Sequence, residues 1–569
     1  MLLLFLQLPR PDPDITSPGE NLMPAAACLR ATLERSPEGR HWTIPETPPE
    51  QDTAADAALA DRLSALRPDA LSATCYLWNI ERTLHLLALL KRRLPALKII
   101  LGGPDIAVNH PLLPAASRSF PADAWVIGEG ETVFPAIMRF FRTGTPPGFQ
   151  GTVWRTPDGT FTEGTRRRPT KSLTDLLPAP AHPVNKPDPF GMAYLETSRG
   201  CPMRCAFCCY NIRRTTTTCL PPEEVAARVR ILRERGAREI RLLDPTFNAH
   251  PRFDDVLEAM RQENPDRAIA FFVEIRADTL TDDHARRLAA AGVAEAEVGI
   301  QSTDPEVLRT LHRPLNADRV LRGIDALLRH GIRPTLDFMY ALPAQDEHDI
   351  QRSLDWLTRF GDTIHPQFLP TLLLPGTELR DRARELRIRA QRLPPYRVLA
   401  TDKLTPRRLA QVEAWASERF GGFDSPTRSF VGSRLPDLFP DRLRVHAATC
   451  RNALLPRLHN RQTVIISGPD LFAYRDSIVA LIRRCVRAEP HILWQFAFAP
   501  ETEEPLDLLD LLTDTLRRLP RHWLDRLVSP PHGPARLCAR RLFVKLPRGA
   551  AFDPVWIAEA EDILAATFH

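Results

Sequence analysis

Continuous apolar runs and helical stripes alternate over the first 142 residues. Leu2–Leu8 reads as a strand, Leu22–Leu33 as a helix, Ala70–Cys75 as a strand and Ile80–Leu94 as a helix. Lys98–Leu101 is a short strand ending in Gly102-Gly103-Pro104, and Ala124–Ile127 is another ending in Gly128-Glu129-Gly130 before a helix over Thr132–Arg142. Strands apolar throughout their length and joined through helices belong in a parallel sheet covered on both faces, so this part is expected to be a doubly wound, Rossmann-like α/β domain. Thr152–Phe161 reads as a hairpin turning at Pro157-Asp158-Gly159, and the proline-dense Pro178–Phe190 as an extended linker. A second strand–helix series follows, with strands at Ala193–Ser198, Glu239–Leu243, Ala268–Glu274, Glu295–Ile300, Pro334–Met339 and Thr363–Leu369. Six such units predict an open, partial (β/α)6 barrel, whose active site belongs at the carboxyl ends of the strands. From about Arg380 onward the pattern predicts a mainly helical region with two strand-like runs, TVIIS and ILWQFAF. The expected boundaries are 1–145, 146–188 for hairpin and linker, 189–400 for the barrel and 401–569 for the remainder.

Composition changes this picture little. The chain has 569 residues, 43% of them hydrophobic and 25% charged, as in ordinary globular proteins. A net charge of +5 over this length argues for no nucleic-acid and no membrane partner. The apolar start MLLLFLQLPRP has no basic residues before it and falls short of the ~20 residues of a membrane span, so it reads as a buried strand and the protein is expected to be cytoplasmic. Cysteine usage is informative. Six of the ten cysteines are scattered, while Cys201, Cys205, Cys208 and Cys209 fall within nine residues.

That cluster stands in ETSRGCPMRCAFCCY, spaced C-x3-C-x2-C directly after the first barrel strand. Three thiolates from one loop can hold three irons of a [4Fe–4S] cube and leave the fourth open. A zinc knuckle is the alternative, with Cys209 as the fourth ligand; zinc sites more often use C-x2-C pairs.

The string Glu196–Tyr210 resembles the signature loop of radical S-adenosylmethionine (SAM) enzymes. The resemblance implies that Cys201, Cys205 and Cys208 ligate the cluster, that SAM binds the open iron, and that Phe207 packs near its adenine. Asp244, where the family often has a Gly-Gly-Glu-Pro stretch, is expected to accept from SAM's ammonium, with a helix cap as the other reading. Glu274 and Arg276 sit where the family binds ribose hydroxyls and the SAM carboxylate, with a surface ion pair as the other reading. Gln301, in Gly299-Ile300-Gln301-Ser302, matches a strand end near the adenosyl group, and Asp337 either lines the cavity or is a buried structural acid.

The segment before the linker resembles the cobalamin-binding domain that precedes many radical SAM barrels. The resemblance rests on ILGGPD (Ile100–Asp105), VIGEGE (Val126–Glu131) and SATCYLWNI (Ser72–Ile80). It implies cobalamin contacts at Gly102, Gly103, Gly128, Glu129 and Gly130, where absent side chains admit a flat macrocycle, and at Thr74 and Tyr76. The Asp-x-His-x-x-Gly string that supplies a lower cobalt ligand in many cobalamin proteins does not occur. After the barrel, Leu373–Thr405 resembles the start of a C-terminal extension in one subgroup of these proteins.

The expected cofactors are therefore a [4Fe–4S] cluster, SAM and cobalamin. The expected activity is methyl transfer to an unactivated carbon of a small-molecule or peptide substrate, served by a low-potential electron donor such as flavodoxin or ferredoxin. Radical cyclisation or rearrangement without methyl transfer is an alternative, and a non-catalytic metal- or cobalamin-binding regulator is one from another class. Ligation by three cysteines makes a direct prediction: after anaerobic reconstitution with iron and sulfide, alanine at Cys201, Cys205 or Cys208 abolishes the brown cluster absorption, whereas C209A leaves it. Loss of colour in C209A contradicts the assignment.

Overall fold

A computed structural model of the chain describes residues 1–12, 21–46, 48–114, 119–168, 171–210, 217–420, 429–453, 456, 459–528 and 537–568. The first sheet contains β1 (Leu3–Leu6), β2 (Ala70–Thr74), β3 (Lys98–Gly102), β4 (Ala124–Val126), β5 (Thr152–Arg155) and β6 (Phe161–Glu163), in that order. β1 and β2 are buried along their whole length and pair in parallel, as their unbroken apolar sequences require. β3 and β4 are also parallel, and β4, β5 and β6 close the sheet as an antiparallel meander through the expected hairpin. Leu2 accepts from the amides of Asp69 and Ala70, whereas the Met1 carbonyl accepts from Thr43 at 2.8 Å.

The second sheet is the barrel. β7 (Met192–Leu195) leads into the short antiparallel pair β8 (Ser198–Arg199) and β9 (Thr218–Cys219), and then come β10 (Glu239–Leu242), β11 (Ala270–Ile275), β12 (Val293–Gln301), β13 (Arg333–Tyr340) and β14 (His365–Pro370). The six long strands are all parallel and stand in chain order. Outward residues are apolar and buried against the helices: Ile240 and Leu242, Phe271 and Val273, Ala296 and Val298, Leu336 and Phe338. Their inward neighbours are polar instead, among them Glu274, Glu297 and Asp337. A two-stranded ribbon, β15 (Arg389–Ala390) with β16 (Val398–Ala400), follows.

The C-terminal part contains the expected helices, Arg475–Ala488, Asp507–Arg517 and Pro554–Phe568 among them, and a five-stranded parallel sheet. Its strands are β17 (Val431–Gly432), β18 (Arg442–His446), β19 (Arg461–Gly468), β20 (Leu493–Pro500) and β21 (Arg540–Lys545), in the order β17-β21-β20-β19-β18. The two strand-like runs noted in the sequence are β19 and β20, two of its three interior strands.

The chain divides into two compact units. One comprises Met1, Leu22–Ile44 and Ile100–Phe420; the other comprises Leu2–Asn21, Pro45–Ile99 and Gly421–His569. This division cuts across the expected 1–145 boundary. Within the second unit, Glu489 accepts from the amides of Asp56 and Ala57, and Asn460 donates to the carbonyls of Asp52 and Thr53, by its side chain and its amide respectively. These bonds tie residues 45–99 to the C-terminal sheet. Among the described residues no helix is long and apolar enough to cross a membrane.

One buried side chain sets the start of β11, the strand that carries Glu274. Asn264 donates to the carbonyls of Ile269 and Ala291 and accepts from the Ile269 amide, with no exposure. Asn264→Ala leaves these groups unpaired and should cost about 2–4 kcal/mol in a denaturant titration.

Candidate active site

The cysteine loop follows β7 and is held at several points. Asp244, at the end of β10, accepts from the Thr197 amide at 2.7 Å, from the Ser198 hydroxyl at 2.9 Å and from the Thr197 hydroxyl. Arg199 forks onto both carboxylate oxygens of Glu196 at 2.7 and 2.8 Å and reaches Glu131 at 2.8 Å. Farther along, Ala206 donates to the Leu311 carbonyl at 3.0 Å and accepts from the Leu379 amide at 2.8 Å. The loop's shape is thus fixed by ionic contacts before the cysteines and by backbone contacts at Ala206 among them.

Cys201, Cys205 and Cys208 line one cavity of about 200 Å3, and Cys209 is not among its lining residues. Phe207, Glu274, Arg276 and Gln301 line the same cavity, so the structure gathers all but one of the residues expected around SAM. The exception is Asp244. It is fully buried and its oxygens are taken by Thr197 and Ser198, so it anchors the loop instead of facing the cavity. Burial pushes its carboxyl up to about 6, against the pull of those hydrogen bonds.

Sequence reasoning missed Tyr210, Thr246, Glu297 and Arg313, which also line the cavity. Glu297 was legible in principle, because it lies two residues before Gly299 and so on the same face of β12. Arg313 carries no such signal. It donates to the Gly299 carbonyl and, through Nη1 at 3.3 Å, to the Cys205 sulfur. Asp337 does line the cavity, which decides between its two readings.

β12 and β13 slip register between Gly299 and Gln301. Gln301 there has a φ of +73°, a left-handed conformation that costs a non-glycine residue roughly 1 kcal/mol or more. A Cβ on Gly299 would lie 2.6 Å from Gln301 Nε2 and 2.9 Å from Arg313 Nη2. A side chain at 299 would have to displace the ends of both polar side chains from their present positions.

The donor chemistry fits a cluster with SAM. Burial pushes the Cys208 thiol up to about 12, with Cys209, Cys205 and Cys201 acting in the same direction. A thiolate there requires a positive partner, which a bound iron provides. Among the described residues no three His, Cys, Asp or Glu side chains converge tightly enough for one metal ion. Three thiols sharing a cavity suit a cube that takes one iron per sulfur. Buried polar atoms without a partner among the described residues remain on Arg276 (Nη1), Arg313 (Nε) and Asp337 (Oδ1), all three residues lining the cavity. SAM is polar enough to satisfy them.

At the expected cobalamin positions the results differ by residue. Gly103 and Gly128 have φ of +108° and +80°, and a Cβ on Gly102 would meet nothing within 4 Å, which leaves room for a flat ligand. Gly130 is glycine for a protein reason, since its Cβ would lie 3.1 Å from Leu29. The Glu129 carbonyl accepts from Arg168, and its carboxylate is 3.8 Å from Arg199. In the other unit, Thr74 ends β2 and its carbonyl accepts from Asn79, while the Tyr76 ring stacks on Trp78 with centroids 4.4 Å apart. The open backbone at Gly102, Gly103 and Gly128 has room for a flat ligand.

Comparison with known proteins agrees with the geometry. Residues 195–357 match the Radical SAM superfamily, and residues 40–138 match the B12 binding domain. An uncharacterized methyltransferase of Pyrococcus horikoshii is 25% identical over 299 residues, covering 50% of this chain and 62% of that protein. The cobalamin-dependent radical SAM methyltransferase TokK of Streptomyces tokunonensis is 22% identical over 339 residues, covering 55% of this chain and 48% of that one. The chain thus spans less than two thirds of the length of these curated relatives. The methyltransferase TsrM from Kitasatospora setae, solved with cobalamin and a [4Fe–4S] cluster bound, shares the fold with a TM-score of 0.53 at 17% identity, over 68% of this chain and 75% of that one. The chain therefore combines a B12-binding domain with a radical SAM domain, and its cofactors are a [4Fe–4S] cluster, SAM and cobalamin.

Asp244 gives a test of the loop anchor. Its carboxyl is held above the ordinary value of 3.8, so the folded state takes up a proton that the unfolded chain releases. The stability from this group is complete below about pH 4 and is lost as pH rises through about 6. Comparing melting temperatures across that range should show the loss in the native protein and its absence in D244N, and D244A should cost about 2–4 kcal/mol by stranding the Thr197 and Ser198 donors.

Proposed function

Starting from a chain that joins a B12-binding domain to a radical SAM domain, we propose that it is a cobalamin-dependent methyltransferase acting on an unactivated carbon. The observation that carries this reading is the single cavity in which three loop thiols meet Glu274, Arg276, Gln301, Arg313 and Asp337. It is supported by the methyltransferase names of the relatives and by the shared fold with TsrM. When bound, the cluster and cobalamin supply, respectively, the electron that splits SAM into methionine and a 5′-deoxyadenosyl radical and the carrier of the transferred methyl.

The chain's own residues hold and enclose these groups. Cys201, Cys205 and Cys208 ligate three irons, and Arg313 donates to the Cys205 sulfur, steadying its negative charge. Phe207 packs against Val307, Leu311 and Leu342 and offers an apolar wall for the adenine. Gln301 and Glu274 present polar atoms to the ribose and amino groups of SAM. Arg276, held in place by Asp278, presents its remaining nitrogen Nη1 to the carboxylate. Gly102, Gly103 and Gly128 let the backbone approach cobalamin, with Glu129 and Gly130 beside it; Thr74 and Tyr76 are assigned to cobalamin on their own unit. We assign residues 1–145 to cobalamin, 189–400 to the barrel, and the parts between and after to linker and extension, and take the substrate to be a small molecule or peptide and the reductant a low-potential flavodoxin or ferredoxin.

The test is anaerobic turnover with SAM, cobalamin and a low-potential reductant. The reconstituted protein should form 5′-deoxyadenosine, and a candidate substrate should gain the mass of one methyl group. Formation of 5′-deoxyadenosine with a product of unchanged mass would replace methyl transfer by rearrangement. Absence of SAM cleavage by protein that holds an intact cluster would remove the reading.

A further inference from the structure

The turn that carries Arg313 is built onto the cysteine loop at three points. The helix before it, Pro305–Thr310, starts on a firm cap, because Asp304 accepts from the amides of Glu306 at 2.8 Å and Val307 at 3.0 Å. Val307 and Leu311 are buried and Phe207 packs against them, which is the first point. The Leu311 carbonyl accepts from the Ala206 amide at 3.0 Å, the second, and the Arg313 amide donates back to the Leu308 carbonyl at 2.9 Å. The third is the guanidinium itself, whose Nη1 donates to the Cys205 sulfur at 3.3 Å. Its Nη2 donates to the Gly299 carbonyl on β12. A barrel strand and the cysteine loop thus hold the two ends of one planar fork.

Neither of these side-chain bonds goes to a carboxylate, and Nε has no hydrogen-bond partner among the described residues. Arg276, the other arginine lining the cavity, forks instead onto Asp278. Three carboxyl side chains line the same space, on Glu274, Glu297 and Asp337. Acids beside a group that must accept an electron oppose the added negative charge. A charge-assisted N–H bond to a ligand sulfur favours it.

We propose that Arg313 is a positioning residue that acts through Cys205 to raise the reduction potential of the cluster, easing uptake of the one electron that SAM cleavage consumes. The inference rests on the reading of Cys201, Cys205 and Cys208 as cluster ligands. The electron comes from the low-potential reductant and adds one unit of negative charge, part of it on the ligand sulfurs; no bond is made or broken in this step. A sulfur that already accepts an N–H bond from a cation carries that charge more readily. Arg313 therefore offsets the acids that share its cavity.

The experiment is a potentiometric titration of the anaerobically reconstituted protein without SAM, with the reduced cluster counted by electron paramagnetic resonance. R313Q should take up the electron about tenfold less favourably, a midpoint about 59 mV more negative for a one-electron couple, with iron and sulfide contents like those of the native protein. R313K keeps a cation and loses the fork, so its midpoint should fall between the two. R276Q controls for a general loss of positive charge from the cavity, and its midpoint should move less than that of R313Q. An R313Q midpoint equal to the native value overturns the inference and leaves the cluster assignment standing. An equal drop in R276Q also overturns it, because the effect then belongs to the field of the cavity and not to the bond. Failure of the native protein to assemble a cluster overturns both. Should R313Q assemble none, R313K decides alone: a midpoint below the native one supports the bond, and an unchanged midpoint overturns it.

Discussion

The site depends on the rigidity of one loop. Three cysteines lining one cavity cannot stay there on a segment free to relax, because thiols brought close together and buried would rather stay protonated and apart. The protein resists this with hydrogen bonds to buried charge before the cysteines and backbone bonds at Ala206, between the second and third of them. Asp244 takes the amide and hydroxyls that precede them, Arg199 bridges Glu196 to Glu131, and Ala206 is pinned from Leu311 and Leu379. Cys209 adjoins Cys208 yet does not line the cavity, which shows how closely the loop's course selects among neighbouring sulfurs.

Much of this was legible in the sequence because each level of the chain tells the same story. The six barrel strands appear within a few residues of their expected places, since alternating apolar positions and flanking helices leave little choice. The spacing C-x3-C-x2-C likewise indicated which thiols belong together. Asp244 was misassigned because its residue type and its place at a strand end fit both a ligand contact and a loop anchor, and only the position of Thr197 and Ser198 decides. Arg313 was invisible for a different reason. It follows a short helix, and its relevance arises from a chain reversal that brings it beside Gly299 and Cys205. The third sheet was half seen: β19 and β20 are long and apolar, while β17 and β18 are short edges without a distinctive pattern and the interior β21 opens on Arg540-Arg541.

The barrel interior departs from the usual packing of the fold. Closed barrels fill their centre with branched aliphatic side chains, whereas here the upper inward positions are Glu274, Glu297, Gly299 and Asp337. The outer faces, where the strands meet the helices, carry much of the hydrophobic core. The inner face is left for chemistry, at the cost of holding several acids in partial burial.

The second unit is assembled from distant pieces of chain. Residues 45–99, with the strand ending at Thr74 and the turn bearing Tyr76, pack in that unit with segments more than three hundred residues later, through contacts such as Glu489 with Asp56. During synthesis these early segments wait for β18 to β21 to emerge, while the cysteine loop and its strands can already close. Part of the corrin-binding region therefore matures last. A ribosome stalled after the barrel would hold a chain equipped for its iron but without the partners of its β2 region, and loading of the two cofactors should follow that order in time.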